Sequence, residues 1–163
     1  MKTRYLFIIG CMLFTLFNNS LTAQDDKIEK TIDGETYSID TVMNIITNKK
    51  NGKLPDRGYC EHVYLENFSS VDDVVRKIFS KARMNELIKL KTRFKIAAYC
   101  DISGKIEEVS FLLLKKDNPI TLTEVYLLEK NMKGVKVKIK SNCPDVKYYS
   151  VSKTYRFEDH FAK

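Results

Sequence analysis

The sequence predicts an α+β domain, a mostly antiparallel sheet with two main helices packed on one face. Three observations carry that expectation. Val71, Val74, Val75, Ile78 and Phe79 recur at i, i+3, i+4, i+7 and i+8, the apolar stripe of an amphipathic helix. Val135, Val137 and Ile139 alternate with Lys136, Lys138 and Lys140, the period of a half-buried strand. Between them, two β-rich runs flank Asp101-Ile102-Ser103-Gly104, which reads as a turn. From residue 59 the order is β-α-β-β-α-β-β, and runs of strands with interspersed helices in this order fit helices laid on one sheet face.

The first 23 residues read as a secretory signal. Lys2 and Arg4 precede a twelve-residue apolar run, Leu6 to Phe17, and Ala23 supplies a small residue before Gln24. The run is shorter than the roughly 20 residues of a membrane span. Ile8-Ile9-Gly10-Cys11 offers a second reading, a lipobox with a lipid on Cys11, which would make the chain an envelope lipoprotein. Export to the periplasm or outside the cell is the expectation either way, and membrane contact is expected only through a lipidated Cys11.

Residues 24–58 form a separate N-terminal segment. Asp33-Gly34 between Ile28–Ile32 and Glu35–Ile39 predicts a short hairpin, because Asp-Gly suits a two-residue turn. A short helix is expected next, with Asp40 as N-cap and Val42, Ile45 and Ile46 on one face. Asn48 to Gly58, rich in Lys, Asn, Gly and Pro, reads as loop.

The main domain spans 59–163. Tyr59 to Phe68 is a strand, Ser70-Val71-Asp72-Asp73 opens the first helix, and Lys81 to Leu90 continues or kinks from it. Thr92 to Cys100 and Ile106 to Leu114 form a hairpin. Thr121 or Thr123 caps a helix bearing Val125, Leu128 and Met132, and Gly134 ends it. The strand over 135–140 follows, placed beside the Arg93 strand, and Lys147 to Phe157 is the last strand and the expected sheet edge.

Composition excludes several classes. At 44% hydrophobic and 30% charged, with six Gly and three Pro, the chain is neither collagenous nor a disordered tract. Removing Lys2 and Arg4 from its 28 basic residues leaves 26 against 21 acidic, a mild +5 without the clustered charge of a nucleic-acid binder. No Ser-His-Asp set, phosphate loop or dinucleotide fingerprint is present in the sequence. No cofactor and no catalytic residues are therefore expected.

The run Lys95-Ile96-Ala97-Ala98-Tyr99-Cys100-Asp101-Ile102-Ser103-Gly104-Lys105-Ile106-Glu107-Glu108-Val109 resembles the hairpin of TonB C-terminal-like domains, in which a strand ending V-D-x-x-G-K-V turns into x-x-V-x-V. Leu122 to Lys133 and Gly134 to Ile139 sit where that family places its second helix and third strand. The chain departs from the family in lacking its Tyr-Pro entry and its Pro-rich end. The resemblance implies a fold and a binding role toward a protein partner, with no catalytic site.

Four groups of residues are candidates for function. Cys60 and His62, at i and i+2 of a strand, would share one face and suit a zinc site or a thiol–imidazole pair, although paired C-x-x-C spacing is absent. Alternating the directions of the elements puts Cys60 and Cys143 at one end of the sheet and Cys100 at the other. That predicts a Cys60–Cys143 disulfide, stabilising by about 2–4 kcal/mol, with Cys100 buried and free. Arg93 and Lys95 with Lys136, Lys138 and Lys140 would form a cationic sheet face for an acidic glycan or lipid headgroup. The plainer interpretation is a solvated face whose lysines discourage aggregation. Tyr149, Val151 and Tyr155 mark the edge strand where another chain's strand could add. The function expected is that of an exported, non-enzymatic binding domain, its partner an unidentified protein.

Overall fold

A computed structural model describes residues 26–54, 63–67, 69–115, 117–141, 143 and 146–161. The domain is α+β. Its main sheet has six antiparallel strands in the order β1-β2-β3-β6-β5-β8, and helices pack on the apolar face. Strands β1 (Lys27–Ile32), β2 (Glu35–Asp40) and β3 (Ile45–Asn48) come from the N-terminal segment. Strands β5 (Arg93–Asp101), β6 (Ile106–Leu113) and β8 (Tyr148–Arg156) complete the sheet. A separate two-stranded sheet joins β4 (Val63–Asn67) to β7 (Lys138–Ser141).

The β1–β2 hairpin forms as expected, with Asp33 and Gly34 both at positive φ (49° and 77°), the backbone that a tight two-residue turn requires. The helix expected after Asp40 does not form. Asp40 Oδ1 accepts from the backbone N–H of Val42 and Met43 at 3.0 and 2.7 Å, as an N-cap would. The chain then leaves the turn through Asn44 at φ 54°, and the β-branched Ile45-Ile46-Thr47 run on as strand β3. Val42, assigned to the helix's buried face, is exposed.

Four helices follow among the described residues: α1 (Ser69–Ile78), α2 (Lys81–Lys89), α3 (Leu122–Met132) and the short α4 (Phe157–Phe161). Helix α1 buries Val71, Val74 and Val75, three positions of the predicted stripe. Ser80 ends it and caps α2, its hydroxyl accepting from the Arg83 N–H at 3.2 Å, so the two helical stretches are separate. Thr121 and Glu124 form a capping box at the start of α3.

The core lies between the sheet and these helices. Phe94 is its hub. Its ring meets Tyr155 at 5.4 Å, Phe111 at 5.9 Å and Phe157 at 6.0 Å, and Phe79 packs edge-on to Phe157 at 5.5 Å. Arg83 locks α2 to α3. It donates to Glu124 Oε1 at 2.8 Å and Oε2 at 3.1 Å, to Glu86 at 2.8 Å and to the Pro119 carbonyl at 2.7 Å. Burial pushes the Glu124 carboxyl up, but the Arg83 bonds outweigh it and hold the group below its usual range.

The strand over 135–140 does not lie beside β5. The chain leaving α3 returns to β6 on the flank away from β5, where Ile106 N–H donates to Val135 O at 2.9 Å and Val137 N–H to Gly104 O at 3.0 Å. Only then does it run into β7 and pair with β4. One flank of β6 is thus divided, with β3 against Ser110–Leu112 and residues 134–137 against its start. Gly104, at φ 82°, makes this approach possible, because a Cβ there would run into the Val137 carbonyl.

Candidate functional site

The apolar face of β2 and β3 carries a polar cluster where it meets α3. Tyr37 and Asn48 are cross-strand partners on that face, and Glu35 stands two residues before Tyr37. Tyr126, Glu129, Lys130 and Lys133 follow the i, i+3, i+4, i+7 spacing of one helix side, with Lys133 as the C-cap of α3. The two rows, together with Asp33 from the hairpin turn, enclose a cavity of about 290 Å3.

Its floor is buried and charged. Glu129, Tyr37 and Asn48 are 2%, 1% and 2% exposed. Tyr37 Oη donates to Glu129 Oε2 at 2.5 Å, and Asn48 Nδ2 donates to the same oxygen at 3.3 Å and to Glu35 Oε2 at 3.0 Å. Glu129 Oε1, otherwise without a hydrogen-bond donor, faces the Lys133 ammonium at 2.6 Å. Burial, reinforced by the carboxylate beside it, pushes the Tyr37 phenol far above its ordinary range, so it remains a donor.

The rim is more open. Tyr126 Oη donates to Asp33 and accepts from Lys130 Nζ at 2.9 Å, while Lys130 Nζ stands 3.7 Å from Asp33. The Tyr126 bond and the Lys130 charge lower the Asp33 carboxyl, and hydrogen bonds from Lys50 and Asn48 lower that of Glu35. Asp33 and Glu35 are therefore ionised at neutral pH, each already bonded to protein donors. The set can present carboxylate oxygens and ammonium N–H groups side by side to a small polar molecule.

The candidates named from sequence fall elsewhere. Cys60 and His62 lie outside the described residues, as do the signal region and Cys11. Among the described residues no complete cystine is present, and no cluster of His, Cys, Asp and Glu fit for a metal. Cys100 is a buried free thiol, and Cys143 is in the disulfide-bonded state. Cys100 does not lie at the end of the sheet opposite Cys143, as the alternation of directions predicts. Cys100 pairs across with Tyr149, whose Oη donates to the Cys143 carbonyl at 2.9 Å, so Cys100 and Cys143 lie toward the same end. The alternation of directions failed because β7 left the main sheet.

Arg93 and Lys95 are not brought together with Lys136, Lys138 and Lys140, and the last two lie on β7 in the separate two-stranded sheet. Lys136 bridges to Lys105 at the Asp101–Ile106 end of the β5–β6 hairpin, whereas Arg93 starts β5 at the opposite end and faces Arg156 of β8. The last strand, by contrast, is an outer strand of the sheet as expected. Tyr149, Val151 and Tyr155 nevertheless point into the core, so their side chains cannot serve as edge contacts.

The cleft is hidden in the sequence because its hairpin wall comes from the least patterned segment. Its helix wall is a polar stripe at 126, 129, 130 and 133, next to the apolar stripe of Val125, Leu128 and Met132.

No family model and no curated protein matches the sequence. Among solved structures, the chain is similar to a DUF5043 family protein from Bacteroides uniformis ATCC 8492, with a TM-score of 0.55 and 19% identity over 80% of this chain and 85% of that one. At that identity the likeness is one of fold alone.

Proposed function

We propose that the chain is an exported, non-catalytic binding domain of the bacterial envelope that engages a protein partner by strand addition at β8. The N-terminal pattern of residues 1–23 supports export, and the resemblance of residues 95–109 to the hairpin of TonB C-terminal-like domains supports a binding role. One observation carries the choice of surface, the direction of the β8 backbone. Leu113 N–H donates to Asn44 O across the β3–β6 side, so residue 113 turns its backbone groups away from β5. In an antiparallel ladder, residues that exchange both bonds alternate with residues that face the other neighbour. Carrying that alternation through Phe94↔Leu113 and Phe94↔Tyr155 turns Val151, Lys153 and Tyr155 toward β5 and Ser152 and Thr154 outward.

The Ser152–Arg156 half of β8 is the half to use. β4 packs close to β8, but its partner β7 lies toward the Gly104 end of the sheet, opposite Arg156. Ser152 and Thr154 are exposed and small, leaving room for an incoming strand. A cationic face for acidic glycans or lipids has no comparable support, since its two halves lie at different ends of the sheet.

Proline at Val151 would be a poor test, because Val151 is 5% exposed and its N–H serves β5. Thr154→Pro removes an outward N–H while sparing the β5 ladder. A photo-crosslinking residue at Ser152 in the exporting host should trap a protein adduct that Thr154→Pro abolishes, with the unfolding midpoint of the monomer preserved. Absence of an adduct, or one indifferent to Thr154→Pro, removes the proposal.

A further inference from the structure

The cleft between the β1–β2 hairpin and α3 has no part in strand addition, and its chemistry is specific. We infer that it is a binding site for a neutral, polyhydroxylated molecule about the size of one sugar ring. Size comes first. At about 290 Å3 the cavity lies at the small end of ligand pockets, which run from roughly 300 to 1,000 Å3.

Charge comes next. Each carboxylate at the cleft already has its own lysine: Asp33 has Lys130 at 3.7 Å, Glu35 has Lys50 at 2.7 Å and Glu129 has Lys133 at 2.6 Å. An anion would have to draw lysines from the carboxylates, and a cation would have to draw carboxylates from the lysines. A neutral ligand requires neither. Carboxylates can only accept hydrogen bonds and ammonium groups can only donate them, whereas a hydroxyl does both. Lys133 stands 2.6 Å from Glu129 Oε1 as an ion pair and gives one long bond, 3.4 Å, to Asn51 Oδ1, so its three-donor ammonium keeps N–H capacity for a ligand. Adjacent hydroxyls on a ring can bridge a carboxylate oxygen and a lysine without breaking any pair.

Density of polar groups alone would not carry this. The Arg83 network is as dense, but its guanidinium is consumed by Glu124, Glu86 and the Pro119 carbonyl. The Glu129 network instead forms the wall of a cavity. Keeping a charged group buried there is expensive, since apolar replacements of buried ion pairs are often neutral or stabilising. A role in recognition accounts for its presence.

The test is saturation-transfer NMR of the full chain with D-glucose, D-galactose, D-mannose and N-acetyl-D-glucosamine, with glycine and inorganic phosphate as charged comparators. Asp33→Asn and Lys130→Ala alter the rim, where the side chains are 67% and 62% exposed, so folding is not at risk. Glu129→Gln alters the floor. At least one sugar should bind, with affinity insensitive to salt and lowered about tenfold, equivalent to about 1.4 kcal/mol, by each rim variant. The inference is overturned if no sugar binds, if both rim variants bind as the parent does, if glycine or phosphate binds more tightly, or if salt weakens binding steeply. Should Glu129→Gln fail to fold, the rim variants decide. None of these outcomes bears on the β8 crosslink, so the two proposals stand or fall separately.

Discussion

Strands β1 and β8 are the two outer strands of one sheet, yet they are built differently. β1 carries Lys27, Glu29 and Lys30 on a ribbon in which no side chain is fully buried. β8 sinks Tyr149, Val151 and Tyr155 into the core and keeps Ser152 and Thr154 at its surface. By the same alternation, the outward backbone of β1 falls at Lys27, Glu29 and Thr31, beside charged side chains that discourage pairing. The lesson is that one outer strand is anchored by its inward residues. An edge guarded by charge can be held more loosely.

The largest test of that contrast is deletion of an inward ring. Tyr155→Ala removes a side chain stacked on Phe94 and bonded to Asp72 at 3.1 Å, and should cost about 3–5 kcal/mol in urea unfolding. Ile28→Ala on β1, where the side chain is 43% exposed, should stay within about 0.5 kcal/mol. Equal losses would erase the distinction.

A smaller effect should separate the hairpin from the rest of the sheet. Glu129→Ala leaves Tyr37, Asn48 and Lys133 without their shared acceptor and should cost about 1–3 kcal/mol. Hydrogen exchange should quicken at β1 and β2 and hold steady at β8. Uniform acceleration would mean that the network serves the whole core.

Acid should act in the same place. Asp33 and Glu35 have folded pKa values below their unfolded ones, so their contribution is complete above the unfolded carboxylate pKa and is lost as pH falls through the lowered values. Amides of β1 and β2 should lose protection over that acidic range before those of β8 do. Simultaneous loss would refute the assignment to the hairpin.

The mildest test leaves stability untouched. Burial, with the charges of Asp101 and Glu107 adding to it, raises the Cys100 thiol to about 12. Iodoacetamide should therefore label Cys100 only after unfolding, and labelling of the native protein would show that the β5–β8 interface opens.

Where side-chain period and packing agreed, the sequence was legible. The α1 stripe, the helix capped at Thr121 (one of the two threonines expected) and the Asp101–Gly104 turn all form, and Lys147–Phe157 became the edge strand less its terminal residues. It misled at Asp40, whose side chain caps a turn and a helix by the same bonds, so only the β-branched residues after it separate the two. It misled again at 135–140. There the alternation of Val137 and the lysines is real, but a period cannot name the strand's neighbour. The carboxylate–tyrosine cleft was hidden for a related reason. Its members come from 33–37, 48 and 126–133, and only the register of β2 on β3 and the seating of α3 bring them together.

The divided flank of β6 has a mechanical outcome for the cleft. Residues 134–137, directly after α3, are fastened to the start of β6, so the helix that bears Glu129 and Lys133 is clamped at its C-terminal end. The opposite jaw is the hairpin tip at Asp33, tied to α3 through Tyr126 and Lys130. One jaw is clamped by its backbone to β6 and the other is held at the rim by Asp33, Tyr126 and Lys130, so the two walls are fixed from opposite ends of the cleft.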